Sequence, residues 1–300
     1  MNDYEKRFEQ LWSRYGFEVS RSDWSGFIDW LLSLRNGLRP ASWRQYRAAV
    51  VYALNTQDVA DHENLIAKLK QPKPLSDSKR HDLPKRTSSH KSKMLLSSDL
   101  TALVDYMLAH GGPWNVLALR WLTYGTRTGL RPVEWKFAQV EFGDEDDAVI
   151  LHVRNAKNDA IRSHGEERHI HLRMDEDSLR DFLSFINELQ SQDFEKVYEG
   201  CRFAIGRATK ALWPRRKNRP TLYSARHQFA ADAKSSNLLP EEVAALMGHA
   251  VTATHQQHYG KRRCGRGFLH VEADEADVAR VVARMQLKSE PGESNALSWT

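Results

Sequence analysis

Two cysteines in three hundred residues, Cys201 and Cys264, form no CxxC pair. They offer neither a disulfide framework nor a zinc ribbon, and they suit a reducing cytosol. No stretch approaches the ~18 apolar residues of a membrane span. The opening MNDYEKRFEQLW is charged from its third residue and has no apolar h-region, so a soluble, untargeted, cytoplasmic protein is expected. There is no Walker loop, no HExxH and no run of Asp and Glu spaced for two metals, so no cofactor is expected. An internal repeat is also missing. With 41% hydrophobic and 10% aromatic residues the chain can bury a real core, which excludes disorder as the whole answer.

Lys and Arg number 44 against 39 Asp and Glu, a formal charge of +5 that favours a polyanionic partner without proving one. Residues 1–70 carry helical periodicity in YEKRFEQLWSRYG, DWSGFIDWLLSLRNG and ASWRQYRAAVVYALNTQ, with Gly16 and Gly37 where helices end. Trp43, Tyr46, Val50, Ala53 and Leu54 form one stripe of the third helix. Arg44 and Arg47 lie on another face, where they can meet phosphates or simply face water. Residues 71–93 read as a basic linker. There Lys73, Lys79, Arg80, Lys85, Arg86, Lys91 and Lys93 outnumber Asp77 and Asp82, which suits a strap along a nucleic acid backbone.

The second domain, 94–290, opens with a helix capped by Ser98 or Asp99 and a second helix started by Pro113; residues 291–300 read as a flexible tail. Alternation at Val149–Val153 and His169–Leu172 predicts a β-hairpin with a long loop. Helices are expected at about 176–190, 195–212, 224–235, 240–247 and 274–287. The fold class is therefore mainly α with a small antiparallel sheet, in two domains.

Several residues carry chemistry. In RTGLRPVEW, Pro132 suits the first position of a helix and Glu134 the third, leaving Arg131 at the cap, where amides and a guanidinium converge on an oxyanion. In TLYSARHQFAADAKSS, Ser224 is placed to cap a helix with Arg226 in its first turn. Pro240, Glu241 and Glu242 start another helix that Gly248 stops, fixing His249 just past its end. A metal reading of His249, His255 and His258 lacks a carboxylate or cysteine partner nearby, and none is adopted.

In this order and spacing the chain resembles the tyrosine recombinases, the phage integrase family, across both domains. TGLRPVE supplies Arg131, NAKND places Lys157 on the hairpin, YSAR supplies Tyr223 and Arg226, MGH supplies His249, and HYGKRR supplies Tyr259. The resemblance implies a site-specific recombinase or integrase. A helical core-binding (SAM-like) domain and a catalytic domain would clamp double-stranded DNA, and strands would be exchanged within a homotetramer. Tyr259 would be the nucleophile of a covalent 3′-phosphotyrosine intermediate, Lys157 the general acid, Arg131 and Arg226 the phosphate clamp, and His249 a positioning or proton-moving group. Because such a link conserves the energy of the broken bond, neither ATP nor metal is called for.

The sequence departs from the family at two places. Tyr223 stands where a His is usual, and His249 lies ten residues before Tyr259 instead of nine. A phenol near pKa ~10 cannot replace an imidazole near ~6.5 in proton transfer, so Tyr223 is expected to support the site by hydrogen-bonding a phosphate oxygen. A DNA-binding protein that has lost catalysis and a tyrosine-dependent topoisomerase remain the alternatives. Lys261, Arg262 and Arg263 are candidates for phosphate contact. The apolar stripe Val278, Val281, Val282 and Met285 suits packing on a neighbouring protomer or on its own domain.

Overall fold

The computed structural model describes residues 3–16, 22–71, 91–143, 145, 147–156, 163–252, 259–267 and 269–289. The chain divides into two compact units, Met1–Arg86 and Thr87–Thr300. No helix among the described residues is long and apolar enough to cross a membrane.

Among its described residues the first unit holds four helices, α1 (Asp3–Tyr15), α2 (Trp24–Ser33), α3 (Pro40–Thr56) and α4 (His62–Lys70), with a 3₁₀ turn at Leu34–Gly37. Its core is dense in aromatics because α1 and α2 each turn a ring-bearing stripe inward. Phe8 stacks on Trp24 at 5.4 Å, and Trp12 meets Phe27 at 4.4 Å. Asp23 caps α2 by accepting from the Gly26 amide at 3.0 Å. The expected stripe of α3 is found, with Trp43, Val50, Ala53 and Leu54 buried and Tyr46 packed beside them. Arg44 is exposed and Arg47 partly so.

The second unit contains α5 (Ser97–His110), α6 (Asn115–Thr128), a 3₁₀ turn (Pro132–Phe137), β1 (Gln139–Phe142), β2 (Ala148–Arg154), β3 (Glu167–Arg173), α7 (Glu176–Gln190), α8 (Phe194–Leu212), α9 (Leu222–Ser235), α10 (Pro240–Leu246), a 3₁₀ turn (Arg262–Cys264), β4 (Val271–Ala273) and α11 (Glu275–Ser289). The four strands form one antiparallel sheet in the order β1-β2-β3-β4. The expected hairpin is its centre, with Leu151 opposite Ile170. Alternation buries Val149, Leu151 and Val153 from β2, and Arg168, Ile170 and Leu172 from β3.

Three helix starts differ from expectation. Helix α6 begins at Asn115 with Trp114 at its cap, so Pro113 lies in the turn before the helix instead of opening it. The cap of α5 falls on Leu96, while Asp99 is buried in a two-pronged pair with Arg216 at 2.7 and 3.0 Å. The cap of α9 is Thr221, whose amide donates to Ser224 Oγ at 2.9 Å. Ser224 is drawn inward because its hydroxyl also donates to the Ser92 carbonyl at 2.7 Å, and Arg226 thereby falls in the second turn. Helix α11 packs within its own unit: Val281 is buried against Ala244 and Ala245 of α10, with Val278 beside it, while Val282 and Met285 are exposed.

Gly129 ends α6 in the left-handed region at φ 68°, and a Cβ there would lie 2.3 Å from the Phe229 ring. Both the backbone and the space require glycine. Gly129→Ala is expected to destabilise the second unit by about 2–4 kcal/mol, from left-handed strain plus overpacking. Urea unfolding of the full chain measures this, and a loss below about 0.5 kcal/mol contradicts the packing described.

Candidate active site

The site begins at the sharp turn after α6. Pro132 opens the 3₁₀ turn, Arg131 stands at its cap and Glu134 is its third residue, as the sequence predicts. The Glu134 carboxylate is buried, and its Oε2 accepts from the Arg131 amide at 2.7 Å while Oε1 accepts from the Arg131 guanidinium at 2.5 Å. Arg168 of β3 donates to the same carboxylate at 2.8 Å, and Arg226 of α9 approaches it to 3.8 Å. Burial pushes the carboxyl up, but Arg168, Arg131 and Arg226 overcome that and hold it far below the usual carboxylate range. One anion thus gathers three buried cations.

The guanidinium of Arg226 is held by carbonyls from two directions, Gly129 at 2.5 Å and Met247 at 2.7 Å. It also donates to Nε2 of His249 at 3.2 Å. Since a guanidinium only donates, Nε2 of His249 is the acceptor, and a neutral ring carries its proton on Nδ1. That lone pair is the one a metal would take. Beyond this ring, His169, Asp274 and Asp277 bring ligand atoms within 4.8 Å of one another. Asp277 there already accepts from the His169 amide at 2.7 Å and pairs with Arg280.

Tyr259 lies over this cluster. Its ring centroid is 5.2 Å from the Arg226 guanidinium carbon and 5.1 Å from the rings of both His249 and His227. Its hydroxyl is 3.1 Å from that of Tyr223. Burial raises the Tyr259 phenol, but Arg226, the Tyr223 hydrogen bond and Arg131 outweigh it and bring it down to about 8. Tyr223 goes the other way, pushed up to about 12, chiefly by burial. Burial, aided by Lys93, Arg226 and Lys234, lowers His227 to about 4 and keeps it neutral.

The chain after Tyr259 is strapped to α9. Lys234 Nζ donates to the Gly260 carbonyl at 2.8 Å, Gln228 to the Cys264 carbonyl at 2.9 Å, and the Arg266 amide to Asp232 at 2.8 Å. A Cβ on Gly260 would sit 2.3 Å from the His227 carbonyl, so α9 can approach only a glycine there.

Of the residues picked from sequence, Arg131, Tyr223, Arg226, His249 and Tyr259 converge. Lys157 lies outside the described residues, as do Lys79, Arg80, Lys85, Arg86, His255 and His258. The backbone just before Lys157 is tied in, since the Ala156 amide donates to Glu134 at 3.3 Å. Lys261, Arg262 and Arg263 are exposed. Sequence reasoning missed Arg168, His227, Gln228, Asp232 and Lys234. Arg168 left a signal, because it shares the inward parity of Ile170 and Leu172 in ERHIHLR.

Glu134→Gln is expected to cost about 3–5 kcal/mol at neutral pH, since it leaves buried guanidinium groups without their counter-charge. Glu134 titrates below its ordinary 4.5, so its contribution is complete above pH 4.5 and is lost as pH falls further. Chemical denaturation of wild type and variant should show a gap that narrows below that pH. A gap independent of pH, or none, contradicts the cluster.

No protein-family model matches the chain, and no curated protein matches it. Among solved structures, it is similar to the Tn1549 transposon integrase in complex with a circular intermediate DNA, at 14% identity over 84% of this chain and 87% of that one, TM-score 0.47. It is also similar to the XerH site-specific recombinase bound to difH substrate in a pre-cleavage complex, at 15% identity over 86% and 76%, TM-score 0.49. The XerA recombinase is similar at 16% identity over 97% and 91%, TM-score 0.37.

Proposed function

We propose that the chain is a site-specific DNA recombinase or integrase that cuts and rejoins strands through Tyr259, acting on double-stranded DNA in the cytoplasm. The placement of the Tyr259 phenol over Arg226, beside His249 and near Arg131, supports this most strongly. With its phenol near 8, roughly a tenth of Tyr259 is phenolate at pH 7, about a hundredfold more than at an ordinary pKa of 10. The Tyr259 oxygen attacks phosphorus, the bond to the 5′ oxygen breaks, and the departing oxygen takes a proton, a role we assign to Lys157. Arg131 and Arg226 offset the charge that builds on the non-bridging oxygens. Attack by a 5′ hydroxyl on the phosphotyrosine reverses the sequence, so no external energy source enters.

Around this chemistry we assign the first unit to DNA binding through Arg44 and Arg47. Lys79, Arg80, Lys85 and Arg86 meet the backbone from the segment between the units, and Lys261 and Arg262 meet it beside the nucleophile. Strand exchange between two duplexes calls for four copies of the chain, as the resemblance implies. A mobile element is the natural setting for such an activity.

A nicked suicide duplex, drawn from DNA flanking the gene, tests this. Wild type is expected to form a covalent protein–DNA adduct that Tyr259→Phe abolishes. Arg131→Lys, which keeps the charge and loses the fork, should slow it by roughly 10²-fold. Absence of any adduct on bound DNA would make the chain a DNA-binding protein without catalysis. Relaxation of supercoiled DNA lacking any particular site would make it a topoisomerase instead.

A further inference from the structure

We propose that His169 of β3, His164 just before that strand, and Asp274 and Asp277 at the start of α11 form a binding site for a divalent transition metal of the zinc class. None of the four belongs to the cluster around Tyr259, so the site stands whether or not the chain is a recombinase. Ligand atoms of His169, Asp274 and Asp277 all lie within 4.8 Å of one another. Register explains why. Strand β4 pairs Ala273 with Ile170 of β3, so the next residue of one strand, Asp274, falls beside the preceding residue of the other, His169. Nδ1 of His169 stands 3.5 Å from Asp277 Oδ2. In a tetrahedral zinc site with bonds of about 2.0–2.1 Å, ligand atoms stand about 3.3 Å apart, so this pair is already spaced for one metal.

The second carboxylate is aimed by its own helix. Oδ1 of Asp274 accepts from the Ala276 and Asp277 amides at 3.0 and 3.2 Å, which leaves Oδ2 for the histidines, with His171 Nε2 3.5 Å from it. His169 is held in place too. Its ring meets that of His152 edge-on at 4.7 Å, and His152 pairs with Glu141 at 2.7 Å. His164 supplies an independent observation. It is 2% exposed, and its Nε2 lies 3.1 Å from the Ala245 carbonyl. A carbonyl only accepts, so Nε2 carries the hydrogen and Nδ1 of the neutral ring carries a lone pair. That Nδ1 has no hydrogen-bond partner among the described residues, and it faces Asp277 Oδ1 at 3.4 Å. A lone pair and a carboxylate oxygen repel each other unless a cation lies between them.

Two imidazoles beside two carboxylates select the metal class. Mg²⁺ and Ca²⁺ take oxygen ligands, whereas imidazole nitrogen with carboxylate suits Zn²⁺ and its tetrahedral stand-in Co²⁺. One competitor is built in. Arg280 pairs with Asp277 Oδ1, and its side chain is 42% exposed, so it can turn out to water as a metal enters. The consequence is structural. Bound metal would tie the first turn of α11 to β3 and to the segment before it, adding to the packing of Val281 against α10.

The test is a titration of the intact chain, first stripped with chelator, using Co²⁺ alone and following its visible absorption. The expected result is the intense band pattern of a tetrahedral site, displaced by Zn²⁺ and unaffected by Mg²⁺. His169→Ala and Asp274→Asn, both at partly exposed positions, should each weaken Co²⁺ binding by roughly tenfold or more. Arg280→Gln, which removes the competing charge, should tighten it roughly two- to fivefold, the strength of a partly exposed ion pair. Zn²⁺ should also raise the thermal unfolding midpoint of the wild type and not that of His169→Ala. Absence of a tetrahedral band overturns the proposal. So does a band that survives both His169→Ala and Asp274→Asn, since the metal then sits elsewhere. Should neither ligand variant fold, Arg280→Gln decides alone: an affinity that is unchanged or weaker there overturns the site.

Discussion

A single buried carboxylate, Glu134, holds the second unit of this molecule in register. Three guanidinium groups from three elements point at it, Arg131 from the 3₁₀ turn, Arg168 from β3 and Arg226 from α9. Taking that many charges out of water costs several kcal/mol per ion, and a lone carboxylate offsets only one of them. The remaining stabilisation comes from carbonyls, with Gly129 and Met247 accepting from Arg226 and Leu246 from Arg168 at 2.9 Å. Two positive charges are left over. Nε of Arg131 and of Arg226 finds no partner among the described residues, so donor capacity as well as charge is left for an anion.

Helix α9 translates that cluster into chemistry. Its spacing sets Tyr223, Arg226 and His227 near Tyr259, and Gln228, Asp232 and Lys234 along the chain that follows it. One helix therefore fixes both the phenol's electrostatic surroundings and its position. Asp232 shows how tightly: fully buried, it accepts from Gln228 at 2.8 Å and from the Arg266 amide at 2.8 Å, and it pairs with the Arg266 side chain at 2.5 Å. The sheet contributes less chemistry and more scaffold, delivering Arg168 from its inner face and carrying the strand end that precedes Lys157.

The sequence makes Arg131, Arg226, His249 and Tyr259 legible because their residue types recur in a fixed order with helix punctuation beside each. The central hairpin is legible from alternation, and most helices from period and caps. Arg168 is hard to read from sequence because an arginine in an alternating strand ordinarily belongs to the wet face, and only the parity of its neighbours argues otherwise. The α9 cap lies at Thr221, three residues before the Ser224 that the sequence suggests, because the two are equally good caps locally. The Ser92 carbonyl, 132 positions away, decided between them. The hydroxyl contact between Tyr223 and Tyr259 spans 36 residues, and no local pattern encodes it. Strand β4 and the strapping by Lys234 likewise depend on tertiary proximity alone.

The central claim is that Glu134 binds three arginines so that Arg131 and Arg226 present their surplus charge to one anion in front of Tyr259. A crystal structure of the chain with orthovanadate, which takes up the geometry of a phosphoryl group under attack, tests it directly. The account predicts vanadium held between the Arg131 and Arg226 guanidinium groups and bonded to the Tyr259 oxygen, with Glu134 still bridging Arg131 and Arg168. Vanadate bound elsewhere, or an Arg131 that leaves Glu134 to reach it, would contradict the account.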